Sequence, residues 1–415
     1  MIIVNANKLT EKYYNYLKLE KIPIVEQILK EVKKTGDVAV KKYTKKFDNI
    51  LLKKIQISKK QIKDAYNQVD ARYVTTLKQA AKNIEFFAKK QLNNFKNFEV
   101  KNKGVLLGQK IVPLQKVGCY VPGGRYPLPS SALMNIIPAK IAGVKEIIVC
   151  SPKIHNLTIV AANIAGADKI FNVGGIQAVG GMAYGTKTIP KVDKIVGPGN
   201  KFVATAKKEV CGVVGIDFIA GPSEILIIAD ETGNPEFIAA DLLAQAEHDP
   251  NARCDLLVTS KKLAKEVNKR LKIQLNDLST KEIAKIALKN GKIVIVKNLD
   301  QAIEISNKRA PEHLELQVKN TNSLIKKLVN YGSLFIGNYS AEVFGDYCSG
   351  TNHTLPTNGA PNYTGGLSVK DFVKILTYQK MDKKSCSKLG KIASKIAEME
   401  GLKAHKNAVD IRLKK

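Results

Sequence analysis

The chain has 415 residues, 44% of them hydrophobic, which is enough for two large domains with substantial cores. Its net charge is +30, but only 6 of its 67 basic residues are Arg, and the lysines extend from Lys8 to Lys415 without forming one basic arm. Because Arg is the better phosphate clamp and base reader, this distribution argues against a nucleic-acid-binding protein and favours a lysine-rich, solvated surface that could still attract anionic cofactors.

Targeting and cysteine signals indicate a cytoplasmic protein without membrane segments. Residues 1–8 lack the basic and apolar regions of a signal peptide, and no run of about 18 apolar residues occurs that could span a membrane. The six cysteines are scattered and include no C-x-x-C pair. This pattern argues against a disulfide framework or a cysteine-ligated zinc site, and it suits a reducing cytosol.

Helices are predicted for much of the first hundred residues, because apolar residues recur at spacings of three and four in residues 22–32 and 59–90. From about residue 115, short apolar runs alternate with helical segments, which is typical of βαβ units and parallel sheets. The predicted strands are residues 116–121, 146–150, 169–173, 194–196, 225–229, 254–259, 292–296, 314–318 and 334–336. Predicted helices between them include residues 132–142, 158–165 and 202–210.

These patterns predict an α/β protein with two parallel-sheet domains. Residues 1–118 and 224–367 are expected to form the first large domain, including the N-terminal helices, and residues 119–223 to form a second, glycine-rich domain. A small helical tail is expected at residues 368–415, with helices at 369–380 and 386–399. Such a tail often packs on another subunit.

The histidines are the first candidates for catalytic or metal-binding residues, since four of the five lie in short segments that also carry a carboxylate or an amide. These four are His248, His313, His353 and His405, whereas His155 has no such neighbour and is predicted to lie on the surface. Neutral imidazole is a common metal ligand and a good proton carrier near pH 7. The pattern indicates a metal-dependent or acid–base enzyme.

One candidate pair lies on a helix predicted in residues 234–250, NPEFIAADLLAQAEHDP. Asn234 is expected to cap this helix and Pro235 to occupy its first position. Gln245 and His248 are three residues apart, so both project from one face near the carboxyl end, where they could reach one ion. A histidine that bonds the last helical carbonyls is an equally good interpretation, and glutamine is an unusual zinc ligand.

Two further segments combine a carboxylate with an imidazole. Glu312 and His313 follow a proline at a predicted helix–strand junction, where both could reach one cavity and serve separate proton transfers. A surface pair is the simpler interpretation of this dipeptide on its own. The loop 345–357, GDYCSGTNHTLPT, places Asp346 near His353 among glycines and polar residues. An Asx-turn is the ordinary alternative for Asp346.

Glycine-rich turns follow two predicted strands, at residues 173–181 and 196–200. The second turn opens a helix, and exposed amides at a helix start could hold a pyrophosphate. Neither turn contains G-x-G-x-x-G, so the usual dinucleotide fingerprint is missing. Ordinary connections between strands and helices are therefore the alternative to a nucleotide site.

Taken in order along the chain, these segments resemble those of the histidinol dehydrogenase family. The matching stretches are CYVPGGRYPLPSSALMNIIPAKIAGV, VGGIQAVGGMAYGT, VGPGNKFVATAKKEV, DFIAGPSE, LLAQAEHDP, RAPEHLEL, GDYCSGTNHTLPTNGAP and EMEGLKAHKNAV. Each stretch alone is a weak signal, but eight in one order over essentially the whole chain are highly specific.

The resemblance implies an NAD-dependent oxidoreductase that converts L-histidinol to L-histidine with two NAD⁺, the last step of histidine biosynthesis. It also implies two incomplete Rossmann-like domains, one zinc ion per site, and a homodimer in which each tail completes the partner's active site. The implied zinc ligands are Gln245, His248, Asp346 and His405. Substrate contacts are implied for these four and for Ser223, His313 and Glu400, NAD contacts for Tyr120, Gln177 and Asn200, and acid–base catalysis for Glu312 and His313.

Under this hypothesis His313 accepts the hydroxyl proton of the alcohol, and Glu312 activates the water molecule that hydrates the bound aldehyde. Two alternative functions predict a different use of zinc and a different ligand. A zinc hydrolase would use the same ligands to activate water alone. A lysine-rich RNA-binding protein would need no zinc and would bind nucleic acid in a strongly salt-dependent manner.

Overall fold

The computed structural model describes residues 1–14, 21–123 and 126–414. The strands in these ranges are β1 Ile2–Asn5, β2 Phe98–Asn102, β3 Val105–Pro113, β4 Lys116–Tyr120, β5 Glu146–Cys150, β6 Lys169–Phe171, β7 Lys194–Val196, β8 Gly215–Ile216, β9 Glu224–Ala229, β10 Arg253–Val258, β11 Lys292–Ile295, β12 His313–Gln317, β13 Ser333–Ile336 and β14 Val373–Lys380. The helices are α1 Glu11–Tyr14, α2 Pro23–Thr35, α3 Asp37–Asp48, α4 Lys59–Gln68, α5 Ala71–Leu92, α6 Pro129–Ala142, α7 Asn156–Ala165, α8 Gly175–Tyr184, α9 Lys201–Val210, α10 Pro235–Ala246, α11 Lys261–Asn276, α12 Lys281–Ala287, α13 Leu299–Arg309, α14 Asn322–Ile325, α15 Glu342–Tyr347, α16 Lys383–Met399 and α17 Lys403–Leu413. None of these helices combines the length and the hydropathy needed to cross a lipid bilayer. Gly124 and Arg125, in the first of the matching sequence stretches, lie outside the described residues.

The strands form three sheets, of which the two larger are parallel throughout. The six-stranded sheet has the order β1-β11-β10-β9-β12-β13, and the five-stranded sheet has the order β6-β5-β4-β7-β8. A small antiparallel sheet consists of β14, β3 and β2. The predicted α/β class with parallel sheets is therefore confirmed.

The central strands are apolar on both sides because helices cover both faces of each large sheet. In β9, Ile225 and Ile227 belong to the core on one face, whereas Leu226 and Ile228 belong to the core on the other. Successive side chains of a strand point to opposite faces, so one uninterrupted apolar run supplies both cores. This is why every predicted strand overlaps an observed one, with ends that differ by no more than about two residues.

Most N-terminal helices pack on the five-stranded sheet. The buried stripe of α2, which includes Val25 and Ile28, lies in the same core as Met182 of α8. On the opposite face, α4 and α5 pack against α6 and α7, while β1 and α1 pack with the six-stranded sheet. This packing differs from the expected grouping of residues 1–118 with 224–367, because an apolar stripe indicates that a helix is buried but not against which sheet.

The start of the tail is a strand, so the helix predicted at residues 369–380 was wrong. Val369–Phe372 forms a 3-10 turn, and β14 then pairs antiparallel with β3 along eight residue pairs. Pairing with a strand so distant in sequence decides the conformation here, and local spacing does not report it. The helix predicted at residues 386–399 is confirmed as part of α16.

The tail hairpin, which we define as α16 and α17, packs chiefly on itself. No residue of α17 is buried, and Ile396, Met399 and Ile411 are exposed apolar side chains of the hairpin. Short helices are marginally stable in water unless a tertiary contact covers an apolar face. The hairpin thus presents an apolar surface that the described residues of this chain leave uncovered.

Candidate active site

Glu312 and His313 lie where α13 passes into β12, at the junction that the sequence predicts. α13 ends at Arg309, Ala310 adopts a left-handed conformation with a φ of 44°, and β12 begins at His313. β12 lies between β9 and β13, so the side chains of Glu312 and His313 are buried, at 6% and 4% exposure. This burial excludes the interpretation of the dipeptide as a surface pair.

The two ring nitrogens of His313 have different surroundings. Nδ1 lies 3.2 Å from the carbonyl oxygen of Glu224, and 3.8 and 3.7 Å from carboxylate oxygens of Glu312 and Glu342. Nε2 lies 3.6 Å from Oδ1 of Asp346 and has no hydrogen-bond partner among the described residues. Because a carbonyl oxygen can only accept, we assign the hydrogen of the neutral ring to Nδ1, which leaves the Nε2 lone pair available as a base.

The net effect of burial and neighbouring charges is a raised pKa for both members of the pair. Burial disfavours the charged His313 ring, but the carboxylates of Glu312, Glu342 and Asp346 raise its pKa well above the usual value. Burial raises the pKa of Glu312 to about 8, although the His313 charge and an N–H donated by Glu224 at 2.9 Å favour the ionised form. Two neighbouring groups with shifted pKa values in a buried site are typical of acid–base catalysis.

Asp346 lies on α15, in a helix rather than in the loop that the sequence predicts, and it is 9% exposed. Burial alone would raise the pKa of Asp346, but its contact with the His313 ring and the nearby rings of His353 and His248 lower that pKa. The structure thus brings these three histidines within electrostatic range of one carboxylate.

Helix α10 carries Gln245 near its carboxyl end, and this helix packs against α15, which holds Asp346. Asn234 caps the helix by accepting the N–H of Glu236 at 2.8 Å, and Pro235 opens it, as the sequence predicts. Gln245 is 1% exposed, and its Oε1 has no hydrogen-bond partner in the part of the chain that the structure describes. His248 lies just beyond the helix end and is exposed.

The unbonded oxygen of Gln245 is the observation that best fits a bound cation. A buried amide oxygen without a hydrogen bond costs about 1–3 kcal/mol, and a cation would supply the missing partner. With His248 and Asp346, the chain offers an amide oxygen, an imidazole nitrogen and a carboxylate. Within the described ranges, His, Cys, Asp and Glu side chains by themselves form no group of three that could hold a metal. The donors therefore fit a metal site that includes the glutamine and is open to a further ligand.

Glu400 and His405 are not placed with these residues. Glu400 follows the last turn of α16, His405 lies on α17, and both side chains are exposed. The tail hairpin therefore carries on its surface the two tail residues that the sequence resemblance assigns to the active site.

Tyr120, Gln177 and Asn200 lie along the carboxyl edge of the five-stranded sheet, where ligands of open α/β sheets bind. Tyr120 ends β4, and its hydroxyl accepts the N–H of Gly175 at 3.0 Å. Gln177 lies in the first turn of α8, which follows β6, and is 1% exposed. Asn200 follows β7 and caps α9, where its Oδ1 accepts the N–H of Phe202 at 3.1 Å. The three residues predicted to contact NAD thus share one edge.

A buried ion pair fixes the turn before Asn200. The side chains of Lys207 and Asp217 are 3% and 1% exposed and lie in direct contact. Lys207 Nζ also donates to the carbonyl oxygen of Gly197 at 3.0 Å, and Asp217 Oδ2 accepts the N–H of Gly197 at 2.8 Å. Both backbone polar groups of Gly197 are thereby held by the ion pair.

Replacing Lys207 with Met is expected to lower the free energy of unfolding by about 3–5 kcal/mol, because it leaves the Asp217 carboxylate buried without its counter-charge. Urea titration at pH 7 measures this loss. Lys208→Met is the matched control, since Lys208 is the exposed neighbour on α9, and its effect should stay within about 0.5 kcal/mol. Equal losses in the two variants would contradict the assigned role.

Ser223 lies half-buried directly before β9, beside a charged residue that the sequence analysis did not single out. Glu224 is 4% exposed, and its carboxylate pairs with the guanidinium of Arg309 at 2.5 Å. Its own N–H and carbonyl oxygen contact Glu312 and His313. A carboxylate at the head of an otherwise apolar strand was the signal that could have identified this residue, because such a group is buried only with a partner.

Several known proteins are similar to this chain over its whole length. The family model described as histidinol dehydrogenase matches residues 15–413. Histidinol dehydrogenase of Methanocaldococcus jannaschii is 49% identical over 426 aligned positions, which cover 100% of this chain and 99% of the relative. That of Clostridium acetobutylicum is 48% identical over 417 positions, covering 97% and 96%.

A solved structure agrees with these sequence matches. The crystal structure of histidinol dehydrogenase from Elizabethkingia anophelis superimposes with a TM-score of 0.94 at 39% identity, over 99% of this chain and 97% of that one. Sequence identity at this level over nearly the full length of both chains, together with the same fold, identifies the family of this chain. The chain belongs to the histidinol dehydrogenase family.

Proposed function

We propose that this protein oxidises L-histidinol to L-histidine in two NAD-dependent steps, through an aldehyde that stays bound, at a site that contains one zinc ion. The observation that carries the proposal is the buried Glu312–His313 pair, which faces Asp346 in a chain of this family. All six cysteines are free thiols, which suits the cytoplasm as the place of the reaction.

Gln245, His248, Asp346 and His405 would hold the metal. The buried, unbonded Oε1 of Gln245 and the lowered pKa of Asp346 support the first and third of these assignments. When bound, zinc supplies a Lewis-acidic anchor for the amine and the imidazole of the substrate. Ser223, which lies beside Glu224, and Glu400 of the tail would complete the substrate contacts.

His313 would act in the first oxidation. An alcohol with a pKa near ~15.7 lies roughly nine units above the ~6.5 of an ordinary histidine, so full deprotonation by such a ring would cost about 12 kcal/mol, a cost that the raised pKa of His313 reduces. Proton transfer to Nε2 must therefore accompany departure of the hydride. NAD⁺, when bound near Tyr120, Gln177 and Asn200, supplies the hydride acceptor. The Nδ1 contact with the Glu224 carbonyl would hold the ring in the required tautomer.

Glu312 would act between the two oxidations. Its carboxylate takes a proton from a water molecule while the oxygen of that water bonds to the aldehyde carbon. The former carbonyl oxygen takes the proton that His313 received in the first oxidation, which gives the aldehyde hydrate and returns His313 to its neutral form. The hydrate then loses its C–H hydrogen as a hydride and a hydroxyl proton to His313, which leaves the carboxylic acid. Glu312 suits this role because its carboxylate accepts a hydrogen bond from the backbone N–H of Glu224, which holds it beside His313.

The active unit would be a homodimer in which the tail hairpin of each chain supplies Glu400 and His405 to the site of the other. The exposed apolar side chains of the hairpin and the absence of buried residues in α17 support this arrangement. An apolar face that its own chain leaves uncovered is well suited to an interface between copies.

The rate of aldehyde oxidation is expected to rise with pH through about pH 8, because both proton acceptors, Glu312 and His313, have raised pKa values. Glu312 must be ionised to take a proton from water, and with a pKa raised to about 8 it is only about one-tenth ionised at pH 7. Initial rates with the aldehyde supplied directly, measured from pH 6 to 10 at saturating NAD⁺, test this. A flat profile between pH 7 and 9 would contradict the assigned base.

Metal analysis combined with a histidinol assay tests the proposal as a whole. The expected result is about one zinc per chain, NADH formation on addition of histidinol and NAD⁺, loss of that activity on chelation, and recovery on addition of zinc. Zinc-dependent ester or amide cleavage without NADH formation would support a hydrolase instead. Salt-sensitive retention on nucleic acid without any need for zinc would support the RNA-binding alternative.

A further inference from the structure

Asn135, on α6, is fully buried and makes side-chain contacts with two segments of the candidate site. Its Nδ2 donates to the carbonyl oxygen of Tyr120, at the end of β4, at 3.3 Å. Its Oδ1 accepts the hydroxyl of Thr354 at 2.9 Å. One amide therefore joins the edge of the five-stranded sheet to the loop that follows Asp346.

The loop is attached to α6 at a second point. Asn352 donates from Nδ2 to the carbonyl oxygen of Met134 at 2.7 Å, and its Oδ1 accepts the N–H of Thr354 at 2.8 Å. Thr354 is 1% exposed, so its hydroxyl is shielded from water. Because His353 lies between these two attachment points, its backbone is held against α6 from both sides.

A third segment approaches the same amide. Gly197 has a φ of 115°, a conformation that favours glycine, and a Cβ there would overlap the Tyr120 carbonyl oxygen and lie 2.9 Å from Asn135 Nδ2. The turn that leads to Asn200 is therefore packed directly against the Asn135–Tyr120 contact. Two segments proposed to bind NAD and the loop that follows Asp346 therefore meet around one buried side chain.

We propose that Asn135 and Thr354 are positioning residues for hydride transfer. Their hydrogen bond would fix the distance between the sheet edge at Tyr120, which is proposed to bind NAD, and the loop that follows Asp346 and contains His353. A misplacement of about 1 Å between reacting groups can cost about 100-fold in rate, so loss of the buried link between the Tyr120 segment and the loop after Asp346 would lower the rate. This inference rests on the proposed function and adds residues to it that the sequence resemblance does not assign.

The test is Thr354→Val, which keeps the side-chain shape and removes the hydroxyl. It is expected to lower kcat about 10- to 100-fold, with the KM values for histidinol and NAD⁺ within about threefold, because binding is retained and alignment is lost. With histidinol deuterated at the carbinol carbon, the isotope effect on kcat should increase. Thr354→Ser, which keeps the hydroxyl, should restore kcat to within about threefold.

A second readout does not depend on catalysis. Amide hydrogen exchange in the zinc-loaded dimer should become faster in Thr354→Val at residues 117–123 and 196–200, on the far side of Asn135. Thr44→Val is the matched control, since Thr44 is equally buried and its hydroxyl also bonds a carbonyl oxygen, that of Val40, at 2.8 Å. The control should leave both kcat and exchange at those residues unchanged.

Unchanged kcat, isotope effect and exchange in Thr354→Val would overturn the proposal, as would a loss of kcat that Thr354→Ser does not restore. Should Thr354→Val fail to fold, Asn352→Ser removes the other attachment of the loop, and unchanged kcat and exchange in that variant would also overturn it. Absence of NADH formation by the unsubstituted enzyme would refute the proposed function instead. The exchange measurement would still decide whether the Asn135–Thr354 hydrogen bond holds the Tyr120 segment in place.

Discussion

Substitution of Glu312 by Gln is expected to stop the reaction halfway, at the aldehyde. The amide keeps the size of the side chain and its oxygen can still accept the N–H of Glu224, but it cannot take a proton from water. General base catalysis typically contributes about 10²- to 10⁴-fold, so aldehyde oxidation should slow by that factor. Alcohol oxidation, which uses His313, should change by less than about tenfold.

The stoichiometry of NADH measures this directly. The unsubstituted enzyme should form two NADH per histidinol consumed, whereas Glu312→Gln should form close to one and release the aldehyde. Glu304→Gln, which removes the same charge from the exposed face of α13, serves as the control and should keep the two-to-one ratio. Equal loss of both oxidations in Glu312→Gln would refute the division of labour between Glu312 and His313.

Co-expression of two inactive variants is expected to restore activity if the tail hairpin reaches the partner's site. Asp346→Asn damages the site in its own subunit, whereas His405→Asn damages the site of the partner, and each variant alone should lose at least about 100-fold. In a hybrid dimer one site would carry both defects and the other neither. Random pairing makes half of the dimers hybrid, so about a quarter of the unsubstituted activity should return.

The control is co-expression of His405→Asn with Glu400→Gln. Both substitutions lie in the tail hairpin, so each site of a hybrid would receive one damaged tail and no activity should return. If the hairpin stays with its own subunit, neither combination would show recovery. Absence of recovery in the first mixture, with hybrid dimers demonstrated by mass spectrometry, would therefore refute the exchange.

The sequence was informative where one physical cause dominates. The apolar runs of strands such as Glu224–Ala229 predict parallel sheets, because only strands covered on both faces need such runs. Asn234 and Pro235 likewise predict the start of α10, since capping depends on neighbouring residues alone. Features of this kind depend on local chemistry and are therefore readable from a few adjacent residues.

Distant partners explain most of what was missed. The strand Val373–Lys380 is defined by its pairing with Val105–Pro113, and neither segment has a pattern that identifies the other. In the candidate site, Glu312 and His313 were recognised by residue type, but Glu224 and Glu342 face the His313 ring only because separate elements fold around it. Residue types at short spacing were visible in the sequence, whereas contacts across the fold were not.

The antiparallel ladder of β14 has a consequence for how the enzyme is assembled. It continues to Lys380, and Asp382 caps α16 by accepting the N–H of Ser385 at 2.7 Å, so little free chain separates the body from the tail hairpin. The orientation of the hairpin relative to its own subunit is thus largely fixed. Its docking on a partner subunit would therefore cost little conformational entropy. If the active unit is the proposed dimer, its dissociation on dilution would reversibly inactivate both active sites while each subunit stayed folded.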